Sequence, residues 1–179
     1  MHRLECAHAE IVPCGPVRSW TGLMTGDRPA HDRAGYYDAL GGRPARDTLV
    51  QAADAFGREG DRPRHAVDFG CGDGRDSLEL LRRGWAVTAI DLTAEGLDRL
   101  TRRAGPAATL VTIQAPIEDV EWPRSDLVAA SHALPFCPRE RFDGLWERFV
   151  ASQPSGGRFA GHLLGPNISW TDVATTRAS

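Results

Sequence analysis

Hydrophobic and polar positions along the chain fall into short continuous apolar runs that alternate with longer runs of helical period. Residues 1–35 show neither pattern and carry breaker-rich stretches such as CGPV and GDRPAHDRAG, which predicts a loosely ordered arm. Past YYDALGGRP, the segment ARDTLVQAADAF (45–56) places Leu49, Ala52, Ala53 and Phe56 at helical spacing, with Pro44 suited to the first turn. Then comes HAVDF (65–69), a short buried strand by its length and composition, and DSLELLRR (76–83), a helix stopped by Gly84. AVTAID (86–91) is a second strand and AEGLDRLTRR (94–103) a second such helix. Thr93 is placed as its N-cap, Leu92 and Leu97 at the spacing of a hydrophobic staple, and Arg102 and Arg103 at its negative end.

ATLVTIQ (108–114) and SDLVAAS (125–131) are the third and fourth strands. Phe142, Leu145, Trp146, Phe149 and Val150 form the clearest amphipathic stripe in the chain, with Pro138 near its start. After the turn QPSGG, RFAGHLL (158–164) is the fifth strand. Strands alternating with helices imply right-handed crossovers and a mainly parallel sheet covered on both faces, an α/β three-layer, doubly wound fold.

Composition narrows the function classes. The 179 residues carry a formal charge of -3, with 41% hydrophobic and 25% charged residues, so there is no bulk electrostatic case for nucleic acid or an anionic membrane. No apolar run approaches the ~20 residues of a membrane span, and the start lacks the apolar core of a secretory signal; the expected location is the cytoplasm. Cys6, Cys14, Cys71 and Cys137 form no Cys-x-x-Cys pair, which fits a reducing compartment. His2, Cys6, His8 and Cys14 cluster but match no standard ligand spacing, so no metal site is expected.

The chemistry concentrates in VDFGCGDGRDS (67–77). In a doubly wound sheet, ligands bind beyond the C-terminal ends of the strands, where strand order reverses. The turn after the first strand occupies that place. Gly70, Gly72 and Gly74 allow backbone angles and close approach barred to other residues, and the following helix presents free N–H groups. Asp91 ends the second strand, 21 residues after Gly70, the place of an acid that accepts hydrogen bonds from ribose hydroxyls. Together these point to a nucleoside-containing ligand. A dinucleotide fingerprint starting at Gly70 needs glycine at position 75, where this chain has Arg75, and no Gly-Lys-Ser/Thr of a P-loop follows.

VDFGCGDGRDS followed by AVTAID resembles the cofactor site of class I S-adenosylmethionine-dependent methyltransferases. GCGDGRDSLELLRRG is similar to their small-molecule, tellurite-resistance-type branch. The resemblance implies a Rossmann-like sheet in the order 3-2-1-4-5. It places the S-adenosylmethionine-binding domain at 36–164 between the arm and an irregular tail at 165–179. It also implies methyl transfer to a small-molecule acceptor. Asp68 and the backbone of Gly70 and Gly72 would hold the methionine ammonium, Asp91 the ribose hydroxyls, and Leu92 the adenine face, with Cys71, Gly74 and Ser131 completing the set. Where the family often has Gly-Asp after the third strand, this chain has Ala115-Pro116. Adenine contacts then fall to the Ile117 backbone and the side chain of Glu118 or Asp119. Tyr37, with Tyr36, is placed either as a lid over the cofactor or in core packing. His132 in SHALPFC stands where an acceptor approaches, as a general base or a structural hydrogen-bonder.

The family continues past its fifth strand with a helix and two more strands, which GPNISWTDVATTRAS (165–179) does not supply. A chain lacking those last two strands leaves an exposed sheet edge unless a partner or the N-terminal arm covers it, so an aggregation-prone protein or a homodimer through that edge is expected. Two other readings stand beside the methyltransferase: a non-catalytic nucleoside-binding remnant, and a nicotinamide-dependent oxidoreductase.

Overall fold

The computed structural model describes residues 37–38, 41–57 and 62–162. The arm 1–35, the tail 165–179, the cysteine and histidine cluster at 2–14 and both boundaries of the 36–164 domain lie outside them. Helix α1 (Asp47–Gly57) precedes β1 (His65–Phe69), α2 (Arg75–Arg82), β2 (Ala86–Asp91), α3 (Ala94–Ala104) and β3 (Leu110–Gln114). Then come β4 (Leu127–Ser131), a 3-10 turn (Leu134–Phe136), α4 (Arg139–Ser152) and β5 (Arg158–His162). All described strand pairs are parallel, in the order β3-β2-β1-β4-β5. The order reverses between β1 and β4, which are hydrogen-bonded neighbours.

Strands buried on both faces need apolar side chains at every position, and successive residues show how they are shared. Ala66, Val87, Ala89, Leu127, Ala129 and Ala160 belong to a core built with Leu49, Phe56, Leu80, Leu97 and Leu100 of α1, α2 and α3. Their neighbours Val67, Phe69, Ile90, Val128, Ala130 and Phe159 face the other way, against Leu145 and Phe149 of α4. Small residues prevail on the strands facing three helices; the face covered by one helix is filled with aromatics.

Crossover 115–126, between β3 and β4, forms no helix. Ile117, Val120 and Trp122 plug that face instead. Arg148 of α4 pins the segment, donating to the Val120 carbonyl at 3.1 Å and the Glu118 carbonyl at 2.8 Å, with its guanidinium 4.8 Å from the Trp122 ring centroid.

Several local expectations shift. Pro44 lies ahead of α1 rather than in its first turn. Val150 is 38% exposed and stands outside the stripe that buries Leu145 and Phe149. Thr93 sits at the N-cap of α3, but its hydroxyl caps no helix N–H; it donates to Asp91. Leu92 is 57% exposed, so the anticipated staple with Leu97 buries little. The homodimer expectation concerns the sheet edge at β5 and the chain beyond it, and residues 163–179 lie outside the described ones.

Candidate functional site

The C-terminal ends of β1, β2 and β4 meet around the glycine turn. Gly70 and Cys71 both donate their backbone N–H to the Ile90 carbonyl, at 2.8 and 3.1 Å, folding the turn across the end of β2. Gly70, Gly72 and Gly74 have φ of 68°, 56° and 89°, angles that disfavour any side chain. At Gly70 there is no room either: a Cβ would stand 2.6 Å from the Ala133 Cβ. The loop after β4 therefore packs directly on the turn after β1.

Asp91 ties the far side of the turn together. Its Oδ2 accepts the Gly72 N–H at 2.8 Å, while Oδ1 accepts the Thr93 N–H at 2.8 Å and hydroxyl at 2.7 Å. Because Thr93 spends its hydroxyl proton on Asp91, the Tyr37 hydroxyl at 2.9 Å must be the donor to Thr93 Oγ1. Tyr37 is buried, with its ring edge 3.5 Å from where a Gly72 Cβ would be. It braces Asp91 from behind the turn. Gly96, which sequence reasoning passed over, makes this possible: a Cβ there would meet the Gly72 carbonyl oxygen at 2.8 Å, the Tyr37 hydroxyl at 2.8 Å and Thr93 Oγ1 at 2.9 Å. Its only sequence signal is a glycine inside a helix, where glycine is otherwise costly.

Asp68, at the floor, is 3% exposed and accepts the Ser77 hydroxyl at 2.6 Å. Burial, and then the neighbouring Asp76 carboxylate, push its pKa up to about 7. Asp76 is held by Arg46, through the backbone N–H at 3.0 Å and Nη1 at 2.6 Å. Burial, and then Asp68 and Asp91, raise the Cys71 thiol well above its ordinary range, so it serves as packing and not as a nucleophile.

Leu92 is exposed beside Asp91, and Gln114 at the end of β3 donates to the Leu92 carbonyl at 3.2 Å. Ile117 is buried in the aromatic core. The Asp119 carboxylate pairs with Arg141 at 2.5 Å, and the Glu118 carbonyl takes both Arg141 and Arg148. Of these two acids, Asp119 is already engaged away from the turn.

At the end of β4, Ser131 Oγ lies 3.3 Å from His162 Nδ1 on β5. His132 follows with φ of 62°, the one non-glycine residue of positive φ among those described. Such a backbone costs on the order of 1–3 kcal/mol and is held only by its surroundings. Its ring stacks on His162, with centroids 4.9 Å apart and planes 9° from parallel.

The donor set separates possible ligands. Asp68, Asp73 and Asp91 are carboxylates around the turn, and the nearby guanidiniums are engaged. Arg46 pairs with Asp76, Arg103 with Asp73 at 2.6 Å, and Arg75 Nε donates to the Pro44 carbonyl at 2.6 Å. Such a cradle fits an ammonium group and hydroxyls, and disfavours a diphosphate. A cavity of about 440 Å³ lies at the opposite edge of the sheet, before β1 and β2. Its arginines are committed: Arg62 to Asp126, Arg64 to the Phe56 carbonyl, and Arg83 to Asp54 and Glu79. Arg64 and Arg83 stand at the negative ends of α1 and α2.

Known proteins share the fold. The chain superimposes on TehB from Haemophilus influenzae with a TM-score of 0.54 at 22% identity, covering 70% of this chain and 43% of that one. A TehB-like S-adenosylmethionine-dependent methyltransferase from Corynebacterium glutamicum gives 0.56 at 19% identity, covering 82% and 77%. The 1,6-didemethyltoxoflavin-N1-methyltransferase of Burkholderia thailandensis, solved with its substrate and S-adenosylhomocysteine, gives 0.53 at 23% identity, covering 70% and 56%. The chain thus spans about half the length of the Haemophilus and Burkholderia proteins. At these identities the likeness shows a shared fold. The family model described as a methyltransferase domain matches residues 66–157, more than half of the chain and the whole stretch from the glycine turn to the end of α4. On that match, and on the Rossmann-like sheet around the turn, the chain belongs to the methyltransferase-domain family.

Proposed function

We propose that this chain binds S-adenosylmethionine in the glycine turn and transfers its methyl group to a small-molecule acceptor. The observation that carries the reading is the joining of the turn to Asp91 by the Gly72 hydrogen bond, at the reversal of strand order. The methionine ammonium is placed near Asp68, whose carboxylate it would stabilise in ionised form. The ribose is placed at Asp91. That carboxylate already accepts three hydrogen bonds and, with about four acceptor positions, offers the remaining one to a hydroxyl. Leu92 supplies an apolar face for adenine, with the 117–118 backbone and the Glu118 side chain opposite.

S-adenosylmethionine brings an activated methyl carbon, so the protein's task is to orient the acceptor and exclude water. The small size of the acceptor rests on the resemblance to the tellurite-resistance-type branch and on structural relatives such as the toxoflavin enzyme. His132, in the loop that packs on Gly70 through Ala133, is placed on the acceptor side. Two buried free thiols, Cys71 and Cys137, suit a reducing compartment, and the reading places the chain in the cytoplasm. Among the described residues no helix is long and apolar enough to cross a membrane.

Thermal-shift measurements with S-adenosylmethionine, S-adenosylhomocysteine and NAD test the proposal. Stabilisation by the first two and not by NAD is expected; stabilisation by NAD alone would end the methyltransferase reading.

A further inference from the structure

The stacked imidazoles at the ends of β4 and β5 are not explained by cofactor binding. We infer that His132 and His162 act as one proton-accepting unit, and that the methyl acceptor is a molecule whose nucleophilic atom carries a proton at neutral pH, an O–H or N–H group. The inference rests on the methyltransferase reading and deepens it. His132 would take the proton, and His162 is a positioning residue that acts through it.

Three observations bring the pair to the site. Ala133 packs against Gly70, so His132 is one residue from contact with the turn. The rings are 4.9 Å apart and nearly parallel, too close for both to carry a charge comfortably. Ser131 Oγ at 3.3 Å from Nδ1 helps fix the orientation of the His162 ring. The charged groups facing His162 are Arg46, ahead of α1, and Arg75 and Asp76 of α2; with burial first, the two guanidiniums outweigh the carboxylate and lower the His162 pKa. His162 thus stays neutral where His132 is called on to accept a proton. His132 also has positive φ, backbone strain of the kind that gathers at functional sites.

The transfer balances simply. The lone pair of the acceptor oxygen or nitrogen forms the bond to the methyl carbon as the carbon–sulfur bond breaks, its electron pair passing to sulfur. The acceptor's proton moves to a His132 ring nitrogen and leaves later to water. A thiol, already partly ionised near neutrality, has less need of such a base.

The test uses the full chain with His132→Asn and His162→Asn, since asparagine tolerates the positive φ at 132. Imidazole nitrogen NMR across pH 5–9, with and without S-adenosylhomocysteine, should show coupled titration: His132→Asn raises the His162 midpoint by about half a pH unit or more, because a charged His132 ring no longer opposes its protonation. Methylation of catechol, benzimidazole and dithiothreitol supplies the second readout. With catechol or benzimidazole, kcat should fall about 100-fold in His132→Asn. In His162→Asn it should fall about tenfold with KM within about threefold, the split expected of a residue that positions the base and does not bind the acceptor. Independent titration of the rings, a His162→Asn variant with unchanged kcat, or wild-type transfer to dithiothreitol alone overturns the inference. Calorimetry separates the two levels. Failure of wild type to bind S-adenosylhomocysteine ends both readings; equal binding by all three proteins with uncoupled rings ends only the histidine unit.

Discussion

Asp68 carries its carboxyl into the protein interior with one hydroxyl for company. An unfolded chain ionises such a group near pH 4, whereas burial, and then Asp76, raise it to about 7 here. The folded protein therefore holds a proton that the unfolded chain has released between those values. The stability this contributes is fully present below about pH 4 and is lost as pH rises through about 7. Urea midpoints of the free protein should decline from pH 5 to 8, and Asp68→Asn should flatten the decline. An ammonium bound beside Asp68 favours the ionised form, so S-adenosylmethionine binding at pH 6.5 should release a proton, seen as a buffer-dependent calorimetric enthalpy.

Asp91 and Gly96 give two further predictions. Asp91→Ala removes a charged hydrogen-bond acceptor and frees the turn, and should weaken S-adenosylhomocysteine by about tenfold to a hundredfold in calorimetry. Gly96→Ala would stabilise an ordinary helix by ~1 kcal/mol. Here the methyl group meets the Gly72 carbonyl and the Tyr37 hydroxyl, so the variant should instead lose about 1–3 kcal/mol in urea melts and bind the cofactor less tightly.

Among the elements, α4 shows how a helix on one face of the sheet joins the strands that carry the site. Phe149 is 2% exposed and packs on Phe69 at 4.7 Å, Trp122 at 5.4 Å and Phe159 at 6.2 Å. It therefore joins β1, the helix-free crossover and β5. Phe149→Ala should cost about 3–5 kcal/mol, whereas Val150→Ala, on the exposed side, should stay within ~0.5 kcal/mol. Denaturant titration of both checks whether the stripe ends where the structure ends it. The helical period had included Val150, because periodicity reports angle around the helix and not the width of the surface below it.

For the whole molecule, alternation of runs was enough to read a parallel doubly wound sheet, since continuous apolar strands have no other stable setting. VDFGCGDGRDS and Asp91 were legible as a site because strand ends and glycines fix their own local geometry. Tyr37, Gly96 and His162 were not legible in those roles. Their meaning comes from partners 56, 24 and 30 positions away, at Thr93, Gly72 and His132, and no local period encodes such distances. The same holds for Asp119, which Arg141 of α4 draws into an ion pair. By itself the sequence determined the elements, the turn and the family, because each depends on residues within a few positions of one another. Only the tertiary structure decided that Asp91 would be braced through Thr93 by Tyr37 and that two histidines would face each other across β4 and β5. Those pairings arise when the sheet brings separate strand ends within hydrogen-bond reach.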